Sequence, residues 1–401
     1  MQSTSKILSN DDLLEASKKI LKPEIFDFIS GGSGSEWSVK NNLDIFHQIQ
    51  IVPRVLQKSG TIDTSVSLPG KNLSFPVIIA PCAFHKLVCE DGELATAKAA
   101  AKCNTILTLS TMSSCSMEDV ASVSNNDKWF QLYLFKDQRI TEDLVRRAEI
   151  AGYEALVVTV DLPAMGMRLR DIRNQFSLPK HIEAVNLKKF HLSDISEKSE
   201  GSKVKEHTDQ QFDANIGWDT IDWLRSITSL PIFLKGILNV EDAIESLNHD
   251  IQGIIISNHG GRQIDGVVSP IEVLPEIAKM VNNKVPLIVD GGIRCGEDIF
   301  KAIALGANAV MIGRPVLWAL SVGGESELES LLTRLQKELI LAMRLAGCNS
   351  LQIVRDRGFS LLAGEKITNM KWKEMMMKME NNHVSENIKI TPSARFFLKP
   401  I

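Results

Sequence analysis

The segment G-I-I-I-S-N-H-G-G-R-Q, Gly253 to Gln263, sets a short β-branched run directly before a histidine and an arginine. The run is too short for a core helix and reads as a strand buried on both faces. The two functional side chains, His259 and Arg262, lie three residues apart among glycines, where that strand ends. They are either charges on a surface loop, or a base and an anion clamp facing one cavity.

Seven further runs of the same kind decide between these readings. They are Val77–Ala83, Thr105–Thr111, Trp129–Leu134, Ala155–Asp161, Pro231–Gly236, Pro286–Gly292 and Ala309–Pro315. Helical patterns lie between them, such as T-E-D-L-V-R-R-A-E-I-A-G from Thr141 and N-V-E-D-A-I-E-S-L-N from Asn239. Each opens on a capping residue followed by acids. Eight strands alternating with helices predict an α/β fold, a (β/α)8 TIM barrel over about residues 77–348, in one domain spanning 1–401. An open, doubly wound sheet is the runner-up. An N-terminal helical segment precedes the barrel, with a capped amphipathic helix over Asn10–Leu21. A long helix is expected over Ser326–Gly347. The interval from Ala155 to Pro231 is too long for one βα unit, and its polar stretch, about 180–215, reads as a lid insertion without structure of its own. A helix around Trp218–Ile227 leads out of it. The tail, about 376–401, has no periodicity and is expected to pack on a neighbouring subunit.

With 44% apolar and 23% charged residues, the chain has a full core. Lys plus Arg is 45 against 49 for Asp plus Glu, and no basic block occurs, so nucleic acid is not an expected partner. No apolar run approaches membrane-spanning length and no signal core is visible. The six cysteines have no metal-ligand spacing and read as reduced thiols; no metal is expected. These features, with a C-terminus that is not a peroxisomal tripeptide, predict a cytoplasmic protein.

The polar residues of the eight runs gather at their C-terminal ends, where barrels of this kind carry their active sites. They are Ser110, Gln131 and Tyr133, Thr159 and Asp161, Lys235, Ser257 and His259, Asp290 and Arg294, and Arg314. A buried Lys, Asp or Gln without a partner costs several kcal/mol, so packing alone does not explain seven such strand ends. D-G-G-I-R (Asp290 to Arg294) and I-G-R-P (Ile312 to Pro315) place glycines and arginines after strands seven and eight, the usual phosphate site of the fold.

At this point the chain resembles the FMN-dependent α-hydroxy acid oxidases and dehydrogenases, the group of glycolate oxidase, lactate oxidase and mandelate dehydrogenase. S-N-H-G-G-R-Q carries the resemblance most specifically. P-R-V-L (Pro53 to Leu56), A-P-C-A (Ala80 to Ala83), F-Q-L-Y (Phe130 to Tyr133), T-V-D-L-P (Thr159 to Pro163), L-P-I-F-L-K-G and D-G-G-I-R agree in order and spacing. The resemblance implies FMN, with its phosphate held by Arg294, Gly313 and Arg314 near Asp290, Gly291 and Gly292. Its ring would lie against Ala80, Pro81, Cys82 and Ala83. Ser110, Gln131 and Thr159 would bond the pyrimidine edge, with Lys235 near N1 and Ser257 beside it. It further implies His259 as catalytic base, oriented by Asp161. Arg262 and Arg168 would bind the substrate carboxylate and Tyr133 a substrate oxygen. The partners implied are a 2-hydroxy acid and O2, which is reduced to hydrogen peroxide; the assembly implied is a homotetramer. Another electron acceptor, an oxidative decarboxylation, or a non-catalytic FMN scaffold are the alternatives.

Three positions depart from the family pattern, one of them Cys82, which replaces a hydroxyl residue often found beside the flavin. Phe28 stands where a tyrosine usually contacts the carboxylate. Met112 replaces a bulky tryptophan of the short-chain enzymes, and Met165 adds a second flexible wall. The pocket is therefore expected to prefer a substrate larger or more apolar than glycolate.

Overall fold

The computed structural model describes residues 6–367 apart from 59, 70, 198–200 and 366, so the tail expected to meet a neighbouring subunit lies outside the described residues. Eight parallel strands close into a barrel. They are β1 (Val77–Ile79), β2 (Leu107–Ser110), β3 (Lys128–Leu132), β4 (Ala155–Thr159), β5 (Ile232–Ile237), β6 (Gly253–Ile256), β7 (Leu287–Val289) and β8 (Ala309–Ile312). Each of the eight apolar runs matches one of them, β3 starting one residue before its run and β5 ending one residue after. Closure comes from β8 pairing with β1, Val310 opposite Val77, which removes both edges an open sheet would leave.

Strand alternation divides the core in two. Ile78, Trp129, Val157, Phe233, Ile255 and Ile288 fill the barrel interior, and Trp129 stacks on Phe233 at 4.4 Å. Their sequence neighbours, such as Ile79, Leu156, Ile254 and Ile256, pack outward under the helices. A hairpin of Val66–Leu68 and Lys71–Leu73 closes the lower end with Leu68 and Leu73.

Three expectations need correction. The helix after β3 runs Gln138–Ile150 and is capped by Asp137, whose carboxylate accepts from Arg139 N–H; Thr141 is buried inside it and bonds Phe135 N–H instead. The long helix begins at Arg314, directly after β8, and breaks at Gly323 and Gly324 before continuing to Leu345. The insertion after β4 is not structureless. It contains a 3-10 turn, Val185–Phe190, and an α-helix, Lys203–Gln211, and buries Ile182, Ala184, Leu187, Ile195, Val204 and Phe212. Apolar residues spaced through a polar sequence anchor it. Asn10–Ile20 and Trp218–Ile227 form helices as expected. Among the described residues no helix is long and apolar enough to cross a membrane.

The insertion also carries a proton-linked element. His207 is buried, its Nε2 has no hydrogen-bond partner, and burial, with Lys203 nearby, brings its pKa down to about 4. The folded value lies below the unfolded one, so the unfolded chain takes up the proton first as pH falls. The stability His207 contributes is whole above the unfolded value, about 6.5, and is lost as pH falls towards 4. Thermal melts between about pH 7 and pH 4 should show wild type losing roughly 2 kcal/mol more than His207→Gln; parallel losses would refute this.

Candidate active site

The alternation that fills the barrel also builds its rim. Two residues beyond the inward layer, which is apolar except for Thr108, the same face carries Ser110, Gln131, Thr159, Lys235, Ser257 and Asp290. These side chains satisfy one another. Ser110 Oγ donates to Gln131 Oε1 at 3.3 Å, and Gln131 Nε2 to Thr159 Oγ1 at 3.0 Å. Lys235 Nζ donates to Ser257 Oγ at 2.8 Å and pairs with Asp290 at 3.2 Å. Burial alone would depress the lysine, but Asp290 and Asp161 raise it above its ordinary value, so it remains charged. Two placements differ from expectation. Ser257 and Gln131 do not line the pocket themselves but hydrogen-bond Lys235 and Thr159, which do. Asp290 is the counter-ion of Lys235 rather than a phosphate neighbour only, and its Oδ1 stays without a partner.

His259 follows β6 in the left-handed region, φ 57°, and Gly260 and Gly261 continue the turn at 65° and 73°. This sharp turn brings His259 and Arg262 to one cavity; Gly261 has no room for a side chain, since a Cβ would meet Val39 N at 2.7 Å. His259 Nδ1 lies 2.9 Å from Asp161 Oδ1. Asp161 fits there because β5 has Gly236 opposite: a Cβ at Gly236 would stand 2.6 Å from that of Asp161. Burial lowers the pKa of His259, against the opposing pull of Asp161. Asp161 itself, although buried, is held below the usual carboxylate range by His259 and Lys235. The imidazole is therefore neutral near pH 7, with its second nitrogen available.

Four arginines converge on the same pocket: Arg168, Arg262, Arg294 and Arg314. Burial and the neighbouring guanidinium Arg262 bring Arg168 and Arg314 down to about 9, and burial brings Arg294 to about 10. The Nε atoms of Arg168 and Arg314 are buried without partners. Among the described residues no carboxylate forms an ion pair with Arg168, Arg262 or Arg314. The buried Asp171 carboxylate offsets part of the charge of Arg168 and Arg262, and the positive charge left over suits an anion. Arg170, two residues after Arg168, does not line the pocket and pairs with Asp27 and Glu36. Arg262 is not wholly free: its Nη1 donates to the carbonyls of Phe28 and Gly31 at 2.8 and 3.0 Å. Arg294 lies over the Trp318 ring at 5.1 Å.

The rest of the wall is apolar. Ala80, Pro81, Cys82 and Ala83 form one side, and burial pushes the Cys82 thiol up to about 11, leaving it uncharged. Phe28 stacks on Phe176 at 4.4 Å and lies 5.5 Å from the Arg262 guanidinium. Met112 and Met165 both line the cavity. The insertion contributes Val204, Thr208 and Phe212, which the sequence reading missed; a lone aromatic closing a polar helix was the signal available. Phe212 stacks on Tyr133 at 4.6 Å. Burial and the Asp161 charge push the Tyr133 phenol up to about 12, so it stays a hydrogen-bond donor.

Comparison with known proteins gives the family. Residues 17–359 match the model of the family described as FMN-dependent dehydrogenase. The chain is 42% identical to a 2-hydroxyacid oxidase of Dictyostelium discoideum over 350 residues, 87% of this chain and 89% of the relative. It is 44% identical to an L-lactate oxidase of a Nostoc species, covering 84% of this chain and 94% of that one. A crystal structure of mandelate oxidase with (S)-4-hydroxymandelic acid superposes with a TM-score of 0.84 at 43% identity, covering 89% of this chain and 98% of that one.

Proposed function

The chain belongs to the FMN-dependent dehydrogenase family that includes the α-hydroxy acid oxidases, and from that premise we propose that it oxidises a 2-hydroxy acid larger or more apolar than glycolate. The product is the 2-oxo acid, with O2 reduced to hydrogen peroxide. The observation that carries the reading is one pocket in which the His259–Asp161 pair faces the unpaired guanidiniums of Arg262 and Arg168.

The residues present fit FMN. Arg294 and Arg314 offer charge without carboxylate partners. Gly313 borders open space, where a Cβ would have its nearest neighbour, Cys82 Sγ, at 3.5 Å, so its backbone can be approached closely. These three would hold the phosphate, beside Gly291 and Gly292 and at the start of the long helix. Ala80 to Ala83 would back the ring, Ser110 and Thr159 its polar edge, and Lys235 would place a positive charge beside it. When bound, FMN supplies the two-electron acceptor that O2 later reoxidises.

The chain's own groups do the rest. Asp161 accepts from His259 Nδ1–H, which fixes the tautomer and leaves Nε2 to take the substrate proton. The imidazolium so formed is stabilised by the same carboxylate. Arg262 and Arg168 grip the substrate carboxylate, and Tyr133 donates to a substrate oxygen. Fixing the acid at two ends makes the reaction effectively unimolecular. Phe28 brings no hydroxyl to this carboxylate; one charged hydrogen bond, about 1.5–3 kcal/mol, is absent, and apolar surface takes its place.

Anaerobic mixing of the holoprotein with a panel of 2-hydroxy acids tests the reading. Bleaching of the flavin should be fastest with aryl or long aliphatic acids of S configuration, followed by O2 uptake and stoichiometric peroxide. Glycolate as the best substrate would defeat the size preference; a flavin that bleaches with none would leave only a binding scaffold. The homotetramer and the cytoplasmic location belong to the same proposal. A homotetramer would cover exposed apolar residues such as Ile150 and Leu341. Light scattering and cell fractionation check the assembly and the location.

A further inference from the structure

The first glycine of I-S-G-G, Gly31, ends the helix Pro23–Ser30 and offers its carbonyl to two arginines at once. Arg262 Nη1 donates to it at 3.0 Å and Arg314 Nη2 at 2.9 Å. Arg262 also donates to the Phe28 carbonyl, at the same helix end. The C-terminal end of a helix carries partial negative charge, so it suits two cations that otherwise repel each other. The carbonyl is held rigidly. Gly31 N–H bonds Asp27 O at 2.8 Å, Ser33 N–H bonds the Gly261 carbonyl at 2.9 Å, and Gly34 N–H bonds the Met167 carbonyl at 2.9 Å. Gly261 precedes Arg262 and Met167 precedes Arg168, so one glycine-serine segment laces together the loops of three arginines.

We propose that Gly31 is a positioning residue whose shared carbonyl couples the substrate-carboxylate clamp to the cofactor-phosphate arginine. It rests on the reading above, in which Arg262 takes the carboxylate and Arg314 the phosphate. An anion on Arg314 fixes that side chain and offsets its charge. The repulsion felt by Arg262 falls, and its fork is held in place for the second anion. Because linkage is reciprocal, each anion tightens the other.

The probe is oxalate, an unreactive dicarboxylate, titrated by its perturbation of flavin absorption. The holoprotein is used once with FMN and once with FMN exchanged for riboflavin, which lacks the phosphate. Contact between oxalate and the ring is common to both forms and cancels in the ratio of their dissociation constants. Wild type should bind oxalate about five-fold more tightly in the FMN form, within the ordinary range of coupling between sites. In Gly31→Ala the new Cβ would stand 2.6 Å from the Asp27 carbonyl oxygen, so the end of the helix that presents the Gly31 carbonyl must rearrange although the backbone angles suit alanine. Its ratio should fall to about one. Arg314→Lys keeps a charge but loses the fork that reaches both phosphate and carbonyl; it should do the same, and it decides the matter if Gly31→Ala does not fold. A wild-type ratio near one, or a full ratio in a folded variant, overturns the coupling while leaving the assigned reaction intact. A wild-type flavin that neither responds to oxalate nor bleaches with any 2-hydroxy acid overturns both.

Discussion

His259→Asn leaves a folded, flavin-loaded protein whose anaerobic reduction by its best 2-hydroxy acid is slowed about 10²- to 10⁴-fold, the usual worth of a positioned general base. Asparagine is the informative replacement. Position 259 has φ 57°, a region that asparagine enters readily and alanine does not. It removes the base without forcing the turn that also carries Arg262. In wild type, kcat/KM should fall on acidification as the imidazole takes a proton. Burial depresses this pKa, so the acid limb lies below the ordinary histidine value. Asp161 opposes that depression. Asp161→Asn should therefore move the limb to lower pH while the rate drops, because the charge that stabilises the imidazolium is gone. A pH profile of Asp161→Asn that coincides with wild type, or an His259→Asn rate within about three-fold of it, would show that the proton leaves by another route.

Much of this site is legible in the sequence because strand geometry has a period of two. In W-F-Q, I-F-L-K and I-I-S, an apolar residue that faces the barrel interior is followed two positions later by Gln131, Lys235 or Ser257. A chain does not repeat that substitution on successive strands for packing alone. The pairing of Lys235 with Asp290 was less legible, since it joins strands two apart across the mouth, and no local pattern encodes such a distance. The insertion was misread for a related reason. Its helix Lys203–Gln211 fully buries only Val204, His207 and Thr208, and the following Phe212 is buried too. The averaged polarity of the segment hides the few residues that anchor it. The carbonyls that receive Arg262 could not be read at all, because a main chain has no sequence signature for an acceptor more than 230 residues away.

Arg262→Met should reduce kcat/KM for the 2-hydroxy acid by roughly 30- to 3,000-fold, corresponding to about 2–5 kcal/mol for breaking a buried, hydrogen-bonded charge pair. Most of the loss should appear in KM if Arg168 still orients the acid, and in kcat as well if the α-carbon drifts from its productive position. Methionine approximates the aliphatic stem and leaves the Phe28 ring a partner to pack on, so the change reports on charge and fork more than on volume. Arg262→Lys should recover little, since an ammonium cannot serve a carboxylate and the Phe28 and Gly31 carbonyls in the guanidinium's geometry. Arg168 has a buried, unpartnered Nε, so it supplies the remaining positive charge. The double variant with Arg168→Met should lose less than the product of the two single effects, because both guanidiniums serve one anion. The uncharged amide of the same substrate isolates the cause: it has no carboxylate for Arg262 to grip. Its slow turnover should change by less than about three-fold in Arg262→Met, whereas an equal loss for amide and acid would assign the arginine to the architecture of the turn rather than to the substrate.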